Sequence, residues 1–500
     1  MSTTSRARIV VDPQFTVAPV DRRLFGSFVE HMGRCVYTGI YEPEHPLADE
    51  DGFRKDVLAL TGELGVSTIR YPGGNFVSNY RWEDGVGPKD ARPVRRELAW
   101  RSIETNQFGI DEFVDWSRRA GVEPMVAVNL GTRGVAEAVD LLEYCNSDAG
   151  TALADQRVVN GHAEPHDVKL WCLGNEMDGP WQIGHKTAEE YGRLAQETGK
   201  AMKRLDPRIE LVACGSSNAQ MPTFGSWEST VLEHCYDVVD YISLHAYYEQ
   251  HGDDVASYLA SGVDMDRFIE AVAATADAVG ARLQSRKRLR LSFDEWNVWF
   301  QGEFGGEDSL DWAEAPRIIE NDFGTVDAVV VGGLLVSLLK HADRVGVACL
   351  AQLVNVIAPI RTEPGGRSWR QPIFAPFSLT AEGAQGVVLQ TAAEGPTMTT
   401  GQYGEIPTVD TVATWDEASG TTSVFAVNRS PEESVRLTIA TQGLPAVRTA
   451  TAVQMATGSG GQAGSDESAW SPRETAVELS DEGVGIDLAP GSWTRVTLVA

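Results

Sequence analysis

Two short stretches hold the residues best suited to making and breaking bonds. In Trp171–Pro180 (WCLGNEMDGP), Glu176 follows an apolar run and Asn175, with Gly174 allowing close approach. In Leu291–Phe300 (LSFDEWNVWF), Glu295 closes a second apolar run among aromatic residues. Two glutamates that face each other over a cleft can divide labour. One gives a proton to a leaving oxygen, and the other stays ionised to trap an oxocarbenium-like centre, as cleavage of a glycosidic bond requires. A lone glutamate at a strand end is commonly a salt-bridge partner. Two of them, one preceded by Asn and one followed by Trp, favour chemistry. Asp294, next to Glu295, is expected on the opposite face by strand alternation and reads as structural.

Such a pair must be positioned by rigid elements, and the chain supplies them. Eight short apolar runs fall between residues 20 and 375: Leu24–Glu30, Val66–Tyr71, Pro124–Leu130, Val168–Leu173, Ile209–Cys214, Tyr241–Ala246, Leu289–Phe293 and Val347–Leu353. Uniformly apolar runs of this length suit parallel strands buried on both faces. Amphipathic stretches separate them. Thr187-Ala188-Glu189-Glu190 has the capping-box pattern of a helix start, and Asp206-Pro207 stops that helix. A second helix is predicted from Met265 to about Leu283. Eight alternations favour an α/β fold of the (β/α)8 TIM-barrel type over an open sheet.

The predicted strand ends then gather one chemical set. It comprises Glu30 and His31; Arg70, Gly73, Gly74 and Asn75; Asn129; Asn175 and Glu176; His245 and Tyr247; Asp294 and Glu295; and Gln352 and Asn355. In a parallel barrel this is the face where active sites form, with the fourth and seventh strands across the mouth from each other. If the pair works by double displacement, the carboxyl groups should lie about 5–5.5 Å apart, not the roughly 6.5–9.5 Å of an inverting enzyme. Structural alternatives stand beside several of these readings. Arg70 also reads as a buried ion-pair anchor and His245 as a hydrogen-bonded structural residue. Trp82, Trp100 and Trp181 read either as core or as walls of leaving-group subsites. Gln301–Asp311 reads as a lid or as a solvated loop.

After about residue 376 the pattern changes. Ser423–Val427, Ser434–Ile439 and Thr494–Val499 carry alternating or β-branched residues between turn residues, the mark of an all-β sandwich. Thr457–Ser465 (TGSGGQAGS) approximates a dinucleotide-binding glycine pattern. With no βαβ unit around it, it reads as a mobile loop.

Charge narrows the partners. Lys and Arg number 42 against 71 Asp and Glu, a formal charge of −29, which repels nucleic acid and anionic membrane and leaves neutral hydroxyl-rich substrates unaffected. Met1–Val10 lacks the apolar stretch of a secretory signal, so a cytoplasmic location is expected. The apolar run Ala328–Leu339 is too short to span a bilayer and reads as a buried helix. Six scattered cysteines, without a C-x-x-C pair, suit reduced core thiols. No H-x-H or H-E-x-x-H spacing supports a metal-dependent barrel hydrolase, so neither metal nor cofactor is expected.

Four longer stretches are more specific: Gly26–Tyr41 (GSFVEHMGRCVYTGIY), Ile69–Pro88 (IRYPGGNFVSNYRWEDGVGP), Trp171–Lys186 (WCLGNEMDGPWQIGHK) and Phe293–Trp299 (FDEWNVW). Together they resemble the intracellular, retaining α-L-arabinofuranosidases of glycoside hydrolase family 51. The resemblance implies a barrel over residues 20–375, with a β-sandwich built from 376–500 and completed by 1–19. It implies release of terminal α-L-arabinofuranosyl residues from arabinose-containing oligosaccharides, with Glu176 as acid/base and Glu295 as nucleophile. It further implies sugar contacts from Glu30, Asn75, Asn175, His245, Trp299 and Gln352, support of the nucleophile by Arg70 and Tyr247, and a homo-oligomer, expected as a hexamer. A β-xylosidase or endo-glucanase on the same barrel, and a non-catalytic carbohydrate-binding protein, are the competing readings.

Overall fold

The computed structural model describes residues 5–391, 393–457 and 466–500. Eight parallel strands close into a barrel: β1 (Gly26–Phe28), β2 (Thr68–Tyr71), β3 (Glu123–Val128), β4 (Leu170–Leu173), β5 (Glu210–Ala213), β6 (Tyr241–Tyr248), β7 (Arg290–Val298) and β8 (Val345–Leu350). β8 pairs with β1 through Cys349↔Gly26, which leaves no free edge. All eight apolar runs found in the sequence contribute a strand. The barrel interior is filled by side chains, among them Phe28, Met125, Leu170, Cys172, Val212, Tyr241, Val347 and Cys349, so it is a packed core and not a channel.

Helices connect the strands on the outside. Ala188–Leu205 follows β4 and starts as its sequence dictates. Thr187 Oγ1 accepts from the Glu190 backbone N–H at 3.3 Å, and a Glu190 carboxylate oxygen accepts from the Thr187 N–H at 3.0 Å. Gly262–Arg282 follows β6 and buries Phe268, Ile269, Val272, Ala276 and Val279, as helical spacing requires. All six cysteines are buried and unpaired.

Strands from both ends of the chain form two further sheets. Ser5–Val11 lies parallel to Val435–Thr441 in a five-stranded sheet, and Thr16–Pro19 joins the edge of a seven-stranded one. Between them pack Ile9, Val11, Leu437, Ile439, Val424, Ile486 and Val496. The helix Phe374–Gly383 runs across position 375 and packs on Lys55–Leu64 and Thr325–Lys340. Thr457 pairs its backbone N–H with Gly491 O, and the remainder of the glycine-rich stretch Thr457–Ser465 lies outside the described residues.

The apolar run Ala328–Leu339 lies in the helix Thr325–Lys340, which follows β7 and is buried nearly all round. One side faces the barrel and the other the seven-stranded sheet, whose strands it contacts along four members. Among the described residues, no helix is long and apolar enough to cross a membrane. Contact with the sheet is closest at Gly332, where a Cβ would meet the Trp493 ring at 2.2 Å. At Gly333 the nearest atom is Val427 Cγ2, at 3.8 Å. Gly332→Ala is therefore expected to cost about 1–3 kcal/mol through overpacking, with a lower midpoint in thermal unfolding. Gly333→Ala should hold or raise the midpoint, because alanine is the better helix former.

Candidate active site

Seven of the eight strand ends, all but that of β3, contribute to one cavity of about 910 Å³, lined by Glu30, Gly74, Asn75, Glu176, Tyr247, Glu295, Trp299 and Gln352 among others. At its base lies Arg70, buried at the end of β2. Its Nη1 donates to Glu295 Oε1 at 2.6 Å and its Nη2 to Asn175 Oδ1 at 2.7 Å, while its Nε lies 3.8 Å from Asp294 Oδ2. Burial opposes the guanidinium charge, but the surrounding carboxylates outweigh it and hold Arg70 firmly protonated. Glu295 Oε2 accepts from Tyr247 Oη at 2.8 Å. One carboxylate is thus fixed at both oxygens by a cation and a phenol.

Glu176 is held differently. The chain leaves β4 through left-handed Gly174 (φ +91°) and Glu176 (φ +42°), a conformation that non-glycine residues adopt rarely and mostly where function demands it. Its Oε1 lies 2.9 Å from His245 Nδ1, and its Oε2 accepts from the Trp181 indole at 2.7 Å. An oxygen of Glu176 and one of Glu295 lie within 4.8 Å of each other. β4 and β7 stand three places apart in the ring of eight, so the two carboxylates face each other across the mouth.

The expected placement of Asp294 on the opposite face is corrected. The register slips between Ser243 and His245 where β6 meets β7, and between Phe293 and Trp296 where β7 meets β8. This irregularity breaks the alternation, and Asp294 turns into the barrel beneath the site. There its Oδ1 lies 3.0 Å from His245 Nε2. The imidazole is therefore clamped between Asp294 and Glu176, with Glu295 at 3.7 Å. Burial alone would lower its pKa; the Glu295 charge and the bonds to Asp294 and Glu176 raise it to about 10. Burial pushes Asp294 up, but Arg70 and His245 bring it below the usual carboxylate range.

Glu176, His245 and Glu295 present one donor atom each within 4.8 Å, a spacing that a metal ion could use. The donor chemistry does not fit. Both imidazole nitrogens are engaged with carboxylates, and a doubly protonated ring has no lone pair for a metal.

Glu30 forms the other wall. Its Oε1 accepts from the Phe76 N–H at 3.0 Å and from the Trp100 indole at 2.9 Å, and its Oε2 lies 3.1 Å from Gln352 Nε2. Trp100 is itself seated by Glu97, which accepts from its backbone N–H at 2.7 Å. Burial, reinforced by the Glu295 charge, raises Glu30 to about 8. Gly74 is the floor between these groups. A Cβ there would lie 3.0 Å from Glu295 Oε1, 3.4 Å from Asn175 Nδ2 and 3.5 Å from Glu30 Oε2. Asn75 Oδ1 lies 3.5 Å from Asn175 Nδ2, and Trp299 meets the Tyr247 ring edge-on at 5.2 Å.

Not every strand-end residue joins the site. His31 turns away into a pocket between Glu104 and Tyr71, at 2.9 Å from each. Asn129 caps the turn at Gly131–Thr132, and Asn355 binds Arg34 O and Thr362. Trp100 and Trp181 line the cavity, whereas Trp82 is buried against Tyr144. From Gln301–Asp311, the residues Gln301, Phe304, Gly306 and Glu307 reach the cavity. Sequence reasoning missed Asp178, which anchors the cavity-lining Ser217 backbone, at 3.1–3.2 Å; its place two residues beyond Glu176 was the available signal. It also missed Gln402 and Tyr403, which come from a hairpin of the C-terminal β region and carried no signal.

Comparison with known proteins shows the family. Residues 60–260 match the family model described as α-L-arabinofuranosidase 1 domain, and residues 294–492 match that of the α-L-arabinofuranosidase C-terminal domain. An intracellular exo-α-(1→5)-L-arabinofuranosidase of Streptomyces lividans is 59% identical over 88% of this chain and 66% of its own length. An exo-α-(1→6)-L-arabinofuranosidase of Bifidobacterium longum is also 59% identical, over 85% of this chain and 83% of its own. The solved structure of a family 51 α-L-arabinofuranosidase, AbfB of Bifidobacterium longum, superposes with a TM-score of 0.93 at 47% identity, covering 99% of this chain and all of that one. By sequence and by structure, the chain belongs to the α-L-arabinofuranosidases of glycoside hydrolase family 51.

Proposed function

We propose that the protein removes terminal non-reducing α-L-arabinofuranosyl residues from arabinose-containing oligosaccharides by double displacement. The observation that carries the mechanism is the pair of carboxylates with oxygens within 4.8 Å across one cavity. That spacing leaves little room for the intervening water of an inverting enzyme and suits direct attack. Glu295, paired with Arg70 and oriented by Tyr247, attacks the anomeric carbon while Glu176 gives its proton to the departing oxygen. Glu176 then takes a proton from water, the resulting hydroxide equivalent attacks the same carbon, and the Glu295 ester bond breaks. Ester formation removes the Glu295 charge from beside His245, leaving the imidazolium between Asp294 and Glu176.

Around this pair, Asn175, held by Arg70, is proposed to bind the hydroxyl beside the anomeric carbon. Glu30, Asn75 and Gln352 are proposed to bind the remaining hydroxyls, with Trp299 as an apolar wall. Relatives named exo-α-L-arabinofuranosidases favour this substrate over a xyloside or glucan. Their names differ in linkage, (1→5) and (1→6), at equal identity. The proposal includes an intracellular location, as in the name of the Streptomyces relative, and a division into a barrel over 20–375 and a sandwich over 1–19 with 376–500. It also includes a homo-oligomer, expected as a hexamer, which sedimentation velocity would distinguish from a monomer.

Initial rates on p-nitrophenyl α-L-arabinofuranoside, set beside the β-D-xylopyranoside, test the substrate. Strong arabinofuranosidase activity is expected, falling about 10⁴-fold or more in Glu295→Ala, as for removal of a nucleophile elsewhere. Activity on the xyloside alone would overturn the substrate assignment. Glu176→Ala should spare substrates whose leaving groups need little protonation and lose activity on oligosaccharides. Equal losses on both would refute its role as the acid.

Glu30 makes a separate prediction about pH. Its folded pKa of about 8 lies above the ordinary 4.5, so the folded protein keeps a proton that the unfolded chain gives up between those values. Its contribution to stability is fully present below about pH 4.5 and is lost as pH rises through 8. Glu30→Gln cannot ionise, so its thermal midpoint relative to wild type should rise by a few degrees between pH 5 and pH 9. A difference independent of pH would show that Glu30 is ionised throughout.

A further inference from the structure

The cavity is larger than the proposed reaction needs at its centre. Its volume of about 910 Å³ corresponds to roughly 30 water molecules at ~30 Å³ each, against roughly nine heavy atoms in one pentosyl unit. The same continuous space that touches Glu176 and Glu295 is bounded elsewhere by Tyr248, Asp264, Phe268, Gln402 and Tyr403. The first three come from β6 and from the helix that follows it. The last two form the tip of a hairpin, Thr397–Thr400 paired with Gly404–Pro407, contributed by the C-terminal β region.

This tip is seated on the barrel and does not merely overhang it. The Gln402 backbone N–H donates to Ser257 Oγ at 3.1 Å, and Ser257 Oγ donates to Asp254 Oδ2 at 2.6 Å. A Cβ at Gly401 would lie 2.4 Å from Asp254 Oδ2, so the backbone comes down where no side chain would fit. Within the hairpin, the Tyr403 N–H donates to Thr400 Oγ1 at 3.0 Å. On the facing wall, Tyr248 Oη donates to Asp264 Oδ2 at 3.2 Å, which fixes a ring and a carboxylate side by side.

The chemistry of these walls is that of carbohydrate recognition. Aromatic rings offer flat apolar faces to sugar carbons, while a carboxylate and an amide accept from and donate to hydroxyls. Glu249, Asp264 and Glu307 line the cavity and no Lys or Arg is among its described lining residues, so it disfavours anionic chains. We propose that this arm binds the leaving-group sugars of an uncharged oligosaccharide, and that the hairpin Thr397–Pro407 sets the preferred chain length through Gln402 and Tyr403. The inference rests on the arabinofuranosidase reading and adds to it the part of the substrate that is not cleaved off.

The test compares α-(1→5)-linked arabinobiose, arabinotriose and arabinotetraose with p-nitrophenyl α-L-arabinofuranoside in wild type, Tyr403→Ala, Tyr403→Phe and Gln402→Ala. The ratio of kcat/KM for arabinotetraose to that for the aryl glycoside should fall about fivefold or more in Tyr403→Ala, mainly through KM, and less in Tyr403→Phe, which keeps the ring face. A ratio unchanged in Tyr403→Ala and Gln402→Ala would overturn the proposal, as would a wild type that does not discriminate between arabinobiose and arabinotetraose. Binding is read separately by titration calorimetry in the Glu295→Ala background, where Tyr403→Ala should weaken arabinotetraose more than arabinobiose. This arm does not depend on turnover. Absence of cleavage by wild type would defeat the activity assignment, while equal weakening of both oligosaccharides would defeat the subsite.

Discussion

Arg70 carries a permanent positive charge at the bottom of a cavity lined by six acidic side chains. Glu295 and Asp294 lie on two sides of its guanidinium, and Asn175 is tied to its remaining edge. Without that charge, two nearly inaccessible carboxylates would stand on consecutive residues of β7 with one fewer cation between them. Planarity matters as much as charge, because one rigid fork fixes a carboxylate from β7 and an amide from β4 in a single geometry. Arg70 thereby locks together strands that do not touch one another in the barrel.

His245 repeats the device on the other side. Clamped between Asp294 and Glu176, it carries a second positive charge into the space between the two glutamates. The two carboxylates are thus placed in unlike surroundings: Glu295 against a guanidinium and a phenol, Glu176 against an imidazolium and a half-exposed indole. Separation of roles between chemically identical side chains follows from such unlike surroundings. The slip in register around Asp294 is what allows one strand to supply both the nucleophile candidate and the counter-charge beneath it.

The C-terminal β region serves the same site at a distance. The apolar helix Thr325–Lys340 packs against both barrel and sheet and makes the two one body. That connection holds the hairpin tip in place over the barrel mouth, where Gln402 and Tyr403 meet residues from β6. A module that looks like a stabilising appendage therefore forms part of the substrate path.

The amino-acid sequence by itself determined the elements and most of the chemistry. Eight apolar runs gave eight strands, Thr187 and Glu190 capped the helix that they predict, and Glu30, Arg70, Asn175, Glu176, Tyr247, Glu295 and Gln352 stood at the ends of runs that the barrel brings together. These features are local: strand period, capping and chain reversal depend on a few consecutive residues. Three things were decided only by the tertiary structure. Asp294 turned inward because strand register depends on both neighbours, which periodicity along one strand does not contain. His31 and Asn129 stood at strand ends yet left the site, because their partners, Glu104 and Thr132, compete for them in three dimensions. The hairpin bearing Tyr403 reached the cavity because two sheets and a buried helix pack in one orientation, and the energy of that packing is spread over residues far apart in the chain.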